Sequence, residues 1–133
     1  MVVPVAVPPR VAFDYLADPA NRPAWQSSLR RVVEVDPVVG PGQHWIDVTW
    51  PGLRPRMTTV VHEPPYRWAE EGRWRGVRAY AELRFLAADP GCRIEAVVSV
   101  RTPGPLAPLG RILTALAVPA MRSDLRRAAR ILS

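Results

Sequence analysis

Two neighbouring runs, 77–87 and 92–101, set the strongest constraint on what this chain can fold into. In the first, Val77, Ala79, Ala81, Leu83 and Phe85 alternate with polar residues, and in the second Cys92, Ile94, Ala96, Val98 and Val100 do the same. A period of two places alternate side chains on opposite faces of a strand. Between the runs stands Asp89-Pro90-Gly91, a tight hairpin turn. The product is a long antiparallel ribbon with one apolar face that must be covered.

Earlier segments extend the ribbon. Residues 28–37 end in alternation, and the turn Val39-Gly40-Pro41-Gly42-Gln43 leads into 44–50. Pro51-Gly52 ends that strand, 56–63 forms the next, and Pro64-Pro65 closes it before 66–74. Val2–Val7 alternates too, and Pro4 predicts an edge strand or a loosely paired one. Pro8-Pro9 then opens a short helix that Asp18-Pro19 ends, and a second short helix fits 19–24. The 16 prolines fall at element boundaries, so they punctuate structure and do not mark disorder.

The last stretch, 105–132, is different. Leu106, Leu109, Leu113, Leu116 and Ala120 recur at helical spacing, with Leu125, Ala128, Ala129 and Leu132 beyond. Pro119 predicts a kink. This is the only segment long enough to cover the sheet. The expectation is one α+β domain over 1–133: a helix-grip fold, with a curved antiparallel sheet of six or seven strands wrapped on a long C-terminal helix. A helix laid in a bent sheet leaves space, so a small-molecule cavity is expected between them.

Composition excludes several classes. All 18 basic residues are arginine and give a net charge of +6, but they are spread along the chain. The densest group, Arg122, Arg126, Arg127 and Arg130, forms a solvated helix stripe, so no nucleic-acid partner is expected. Cys92 is alone, which rules out an internal disulfide and suits a cytoplasmic setting. No membrane span is expected, and the N-terminal run has no basic leader region. No phosphate loop, nucleophile elbow or zinc spacing occurs, so neither metal nor cofactor is expected. A homodimer is compatible with the sequence.

Several segments together resemble the START-like (SRPBCC) superfamily, and within it the polyketide cyclase/dehydrase and lipid-transport group. They are the opening strand with 7–26 (VPPRVAFDYLADPANRPAWQ), the turn GPGQHW, the segment HEPPYRWAEEG, the hairpin DPGCRI and the terminal LRRAARIL. The resemblance implies a hydrophobic ligand, and either cyclase/dehydratase chemistry or non-catalytic carriage of a lipid or similar molecule. It also implies that Trp25, after the small helices, sits at the cavity rim, where it can equally staple those helices to the sheet.

Candidate site residues follow from strand parity. On 44–50, hydrophobicity alone turns His44, Ile46, Val48 and Trp50 inward. The family pattern instead turns Trp45, Asp47 and Thr49 inward. On 66–74, Trp68, Glu70 and Gly72 share a face. Asp47 and Glu70 are therefore the candidate acid–base pair for dehydration or aldol-type ring closure. The competing role for Asp47 is a surface ion pair with Arg56. Arg56 or Arg78 could hold an enolate or carboxylate of the substrate. Trp25, Trp45, Thr49, Arg56, Trp68, Leu109, Leu113 and Met121 are expected to bind ligand. Glu82, Arg84, Arg93 and Glu95 read as charge pairs on the solvent face, with Tyr80 beside them.

Overall fold

A computed structural model describes residues 1–133. The order is β1 (Val2–Val5), α1 (Pro9–Leu16), a 3₁₀ turn (Pro19–Asn21), α2 (Arg22–Trp25), β2 (Leu29–Val33), β3 (His44–Thr49), β4 (Arg56–Glu63), β5 (Arg67–Trp74), β6 (Val77–Ala87), β7 (Cys92–Arg101), a second 3₁₀ turn (Gly104–Leu106) and α3 (Ala107–Leu132). The seven strands form one antiparallel sheet in the order β1-β7-β6-β5-β4-β3-β2. β1 is shorter than the alternation suggested and lies at one edge, where Pro4 can sit without costing a central ladder bond.

The core lies on one face of the sheet. Phe13 and Leu16 of α1, Trp25 of α2, Trp45, Trp68, Leu83, Phe85 and Ile94 of the strands, and Leu125 and Ala128 of α3 are all buried there. Asp124 on α3 ties the layers together by accepting bonds from the Ser27 hydroxyl (2.9 Å) and backbone N–H (3.2 Å). By length and composition α3 could cross a membrane, but here its C-terminal half packs into the core through Leu125 and Ala128. The helix continues through Pro119.

The two halves of α3 behave differently. Its C-terminal half enters the core, while its N-terminal half leans on β7 beyond the reach of β1. There the Val100 N–H has no strand partner and donates to Thr114 Oγ1 (2.8 Å), which in turn donates to the Val100 carbonyl (3.2 Å). The Gly110 N–H donates to Thr102 Oγ1 (3.0 Å). A Cβ on Gly110 would come within 3.0 Å of the Val100 carbonyl oxygen. Gly110→Ala should therefore lower the melting temperature, because overpacking of about 1–3 kcal/mol outweighs the roughly 1 kcal/mol of helix propensity gained. Thermal unfolding followed by circular dichroism checks this.

On the outer face, Glu82 accepts from Arg67 (2.8 Å), Arg84 (2.8 Å) and the Tyr80 hydroxyl (2.9 Å). The Arg67 hydrogen bonds lead in holding its pKa down to about 2. A carboxylate lowered on folding stabilises the fold above the unfolded value and loses that contribution as pH falls through about 2. Glu82→Gln should flatten the acid limb of the stability–pH curve, as measured by denaturant titrations between pH 2 and 5. Arg93 and Glu95 lie on the same outer face, with Glu95 opposite Arg84.

Candidate functional site

The broken helix at 14–26 has a structural purpose that sequence reasoning missed. Asp18 caps the 3₁₀ turn by accepting from the Ala20 N–H (3.0 Å), and Asn21 Nδ2 donates to the Tyr15 carbonyl (3.0 Å). These bonds fix the break, and Pro23 fits the first turn of α2. Arg22 then points at the sheet, with its side chain only 2% exposed. It shares a helix face with Trp25 three residues on.

Arg22 joins the two carboxylates. Its Nη1 donates to Glu70 Oε2 (2.6 Å) and its Nη2 to Glu70 Oε1 (3.3 Å). Its Nε and Nη2 donate to the two oxygens of Asp47 (3.3 and 3.0 Å). Asp47 also accepts from the Trp45 indole N–H (2.9 Å), and the guanidinium lies 5.1 Å from the Trp45 ring centre. These bonds use four of the five guanidinium donors and leave one on Nη1.

Two buried carboxyls share one guanidinium. Burial raises the Glu70 pKa above the usual carboxylate value, Arg22 pulls it back and the Asp47 charge pushes it up again; the net direction is upward. For Arg22, burial opposes the charged form, but Glu70 and Asp47 outweigh it and hold its pKa above the ordinary value.

The triad forms part of the wall of an open cleft of about 300 Å³. Arg22, Gln26, Asp47, Thr49, Glu70 and Gly72 line it, with Leu29, Met57, Val77 and Ala79 as apolar wall. Gln26 is buried, and its Oε1 has no hydrogen-bond partner in the protein. A Cβ on Gly72 would meet Met57 Sδ at 2.8 Å, so a larger residue here would have to push the methionine end into the cleft wall.

The expected site residues divide into three groups. Asp47, Glu70 and Thr49 reach the cleft, because the Trp45–Asp47–Thr49 face of β3 is the one turned inward. Trp25, Trp45 and Trp68 are buried in the core, with the Trp25 and Trp68 indole N–H groups unpartnered, and Met121 packs half-buried against the same cluster. Leu109, Leu113 and Arg56 do not line the cleft. Leu109 is exposed and Leu113 half-buried because the first half of α3 is held at the β7 edge and does not cross β4–β6. Arg56 pairs in register with Arg73, both exposed, and makes no ion pair with Asp47. Arg78 is exposed on the outer face, away from the cleft.

Comparison with known proteins fits this architecture. Several solved structures share the fold. One is the two-domain aromatase/cyclase StfQ of the steffimycin biosynthetic pathway (15% identity, TM-score 0.80), of which the match covers 49% and this chain 99%. Another is Ara h 8.0201 (14% identity, TM-score 0.78, 99% of this chain and 94% of that one). A third is a START superfamily protein from Mycobacterium smegmatis (13% identity, TM-score 0.70, 100% and 97%). No curated protein matches the sequence significantly. The family model described as polyketide cyclase/dehydrase and lipid transport matches residues 1–133, and the chain belongs to that family of START-like proteins.

Proposed function

We propose that the protein acts on a hydrophobic, polyketide-like metabolite as a cofactor-independent cyclase or dehydratase, with Glu70 as the proton-transfer group. The observation that carries this reading is the sharing of Arg22 by two buried carboxyls in the wall of an open cleft. Asp47 accepts three hydrogen bonds and acts as the fixed anion that holds Arg22. Burial raises the Glu70 pKa above the usual carboxylate value, which makes the carboxylate a better base for the first step. In a dehydration, the Glu70 carboxylate takes the proton α to a carbonyl, and the free Arg22 N–H stabilises the enolate oxygen. The new Glu70 carboxyl then returns that proton to the β-hydroxyl, which leaves as water. The substrate loses one water, and Glu70 ends as it began. A buried, unpaired Cys92 suits the cytoplasmic setting proposed with it.

One observation favours a second reading, carriage of a hydrophobe without chemistry: all four carboxylate oxygens of the triad already accept from Arg22. A paired experiment separates the two readings. Aromatic and β-hydroxy-carbonyl probes are titrated into wild type and Glu70→Gln, and product formation is followed by mass spectrometry. Conversion by wild type, lost in the variant with binding retained, supports catalysis. Binding without product in either protein supports carriage.

A further inference from the structure

We infer that the end of the molecule around the cleft mouth is a docking surface for an anionic lipid bilayer. That end is built from the 50–55 loop, the 75–76 turn, the 102–106 segment and the first turns of α3, which all lie where β3, β5 and β7 finish. Gly76 lies close to Pro103, so the turn and the segment form one continuous surface.

Two kinds of side chain stand out there. Trp50 (63% exposed), Leu53, Trp74, Leu106, Leu109 and Ile112 present apolar surface to solvent. Beside them, at the same end but on the outer face of the sheet, is positive charge with little to balance it. Arg56, Arg73, Arg78 and Arg101 are paired in register across four adjacent strands. At a strand spacing of about 4.8 Å the row spans about 14 Å. Like charges directly opposite each other destabilise a sheet. Only Arg73 in this row has a carboxylate partner, Glu71 at 2.9 Å. Arg54, Arg75 and Arg111 add exposed charge nearby. Acids gather elsewhere: Glu34, Asp36, Glu63 and Asp89 lie at the opposite end of the strands.

Aliphatic and indole side chains beside guanidinium groups suit a bilayer interface. Apolar groups enter the acyl boundary, indoles sit at headgroup depth and arginines meet phosphates. Arg30 and Arg75 lie 5.2 Å from the ring centres of Trp50 and Trp74, giving each a cationic outer end. Exposed Leu106, Leu109 and Ile112 would gain nothing from a phosphodiester polymer, which makes a nucleic acid the poorer fit. The cleft opens at this same end, so a docked molecule faces its cleft to the membrane. The inference rests on the surface alone and stands whatever happens to a ligand inside.

The full-length protein should co-sediment with phosphatidylcholine vesicles containing about a third phosphatidylserine, and not with pure phosphatidylcholine. Binding should weaken at high salt. The double variant Arg78→Gln/Arg101→Gln should bind about 25-fold more weakly, at roughly fivefold per arginine. Trp50→Ser/Leu106→Ser should weaken binding at least tenfold with every arginine intact. Tyr66→Ser, which changes an apolar residue 70% exposed at the opposite end, should leave it unchanged. No binding to the anionic vesicles would overturn the inference. Equal binding by the Trp50/Leu106 variant would also overturn it, by leaving bare charge attraction as the cause. So would binding to an acidic protein or to DNA that the same variants weaken while vesicle binding is unaffected.

Discussion

Arg22→Met should lose about 3–5 kcal/mol of unfolding free energy at neutral pH, the cost of leaving a buried charge without its partner. Few single changes in this molecule should cost more. Arg22 compensates two carboxylates whose side chains are 5% and 7% exposed, and neither has another ion-pair partner. A typical domain has about 5–15 kcal/mol of stability, so the variant will be marginal. The loss should depend on pH in a defined direction. Without the guanidinium, Glu70 loses the partner that pulls its pKa down, and burial holds its carboxyl above the unfolded value in the folded variant. Stability is then highest below the unfolded carboxylate range and is lost as pH rises through the raised Glu70 value. Denaturant titrations at pH 4 and pH 8 should show the larger deficit at pH 8. Arg22→Lys should rescue little, because one ammonium cannot make two bidentate contacts. An equal deficit at both pH values would mean that Arg22 acts through packing.

Glu70→Gln should lower turnover by about 10²–10⁴-fold, the usual contribution of a positioned proton-transfer group. Ligand affinity should change little, since the amide keeps the shape of the cleft wall. Stability should change far less than in Arg22→Met, because the amide adds no charge and Asp47 still pairs with Arg22. Asp47→Asn should behave differently. It removes the better-anchored anion, so it should lower both stability and turnover. A Glu70→Gln enzyme with full turnover would remove Glu70 from the mechanism. A parallel loss of fold would make the defect structural.

The sheet was legible because period-two alternation and Pro/Gly punctuation are local signals, and 77–87 and 92–101 carry both without ambiguity. The path of α3 was not. Its apolar repeat says that it needs a partner, but the helix is set down at the β7 edge by Thr114 and Gly110. A threonine and a glycine in a helix announce nothing about a strand whose Val100 lies 14 residues before Thr114. That is why Leu109 and Leu113 were expected in the cleft and are not in its wall. Asp47 and Glu70 could be found by parity, yet parity says nothing of what neutralises them. The partner sits on a four-residue helix too short to show a periodic pattern. Arg22 among 18 arginines stands out only once its burial is seen.

The most direct test of the account is the ionisation of Glu70 itself, read from its side-chain carboxyl carbon by NMR across pH 3 to 9. The account predicts a midpoint above 4.5, in the direction that burial and the Asp47 charge impose against Arg22, and a shift of that midpoint when an apolar carbonyl ligand fills the cleft. A midpoint below 4.5 that ignores ligand would show an ordinary ion-paired carboxylate, and would contradict the proposal that Glu70 transfers protons.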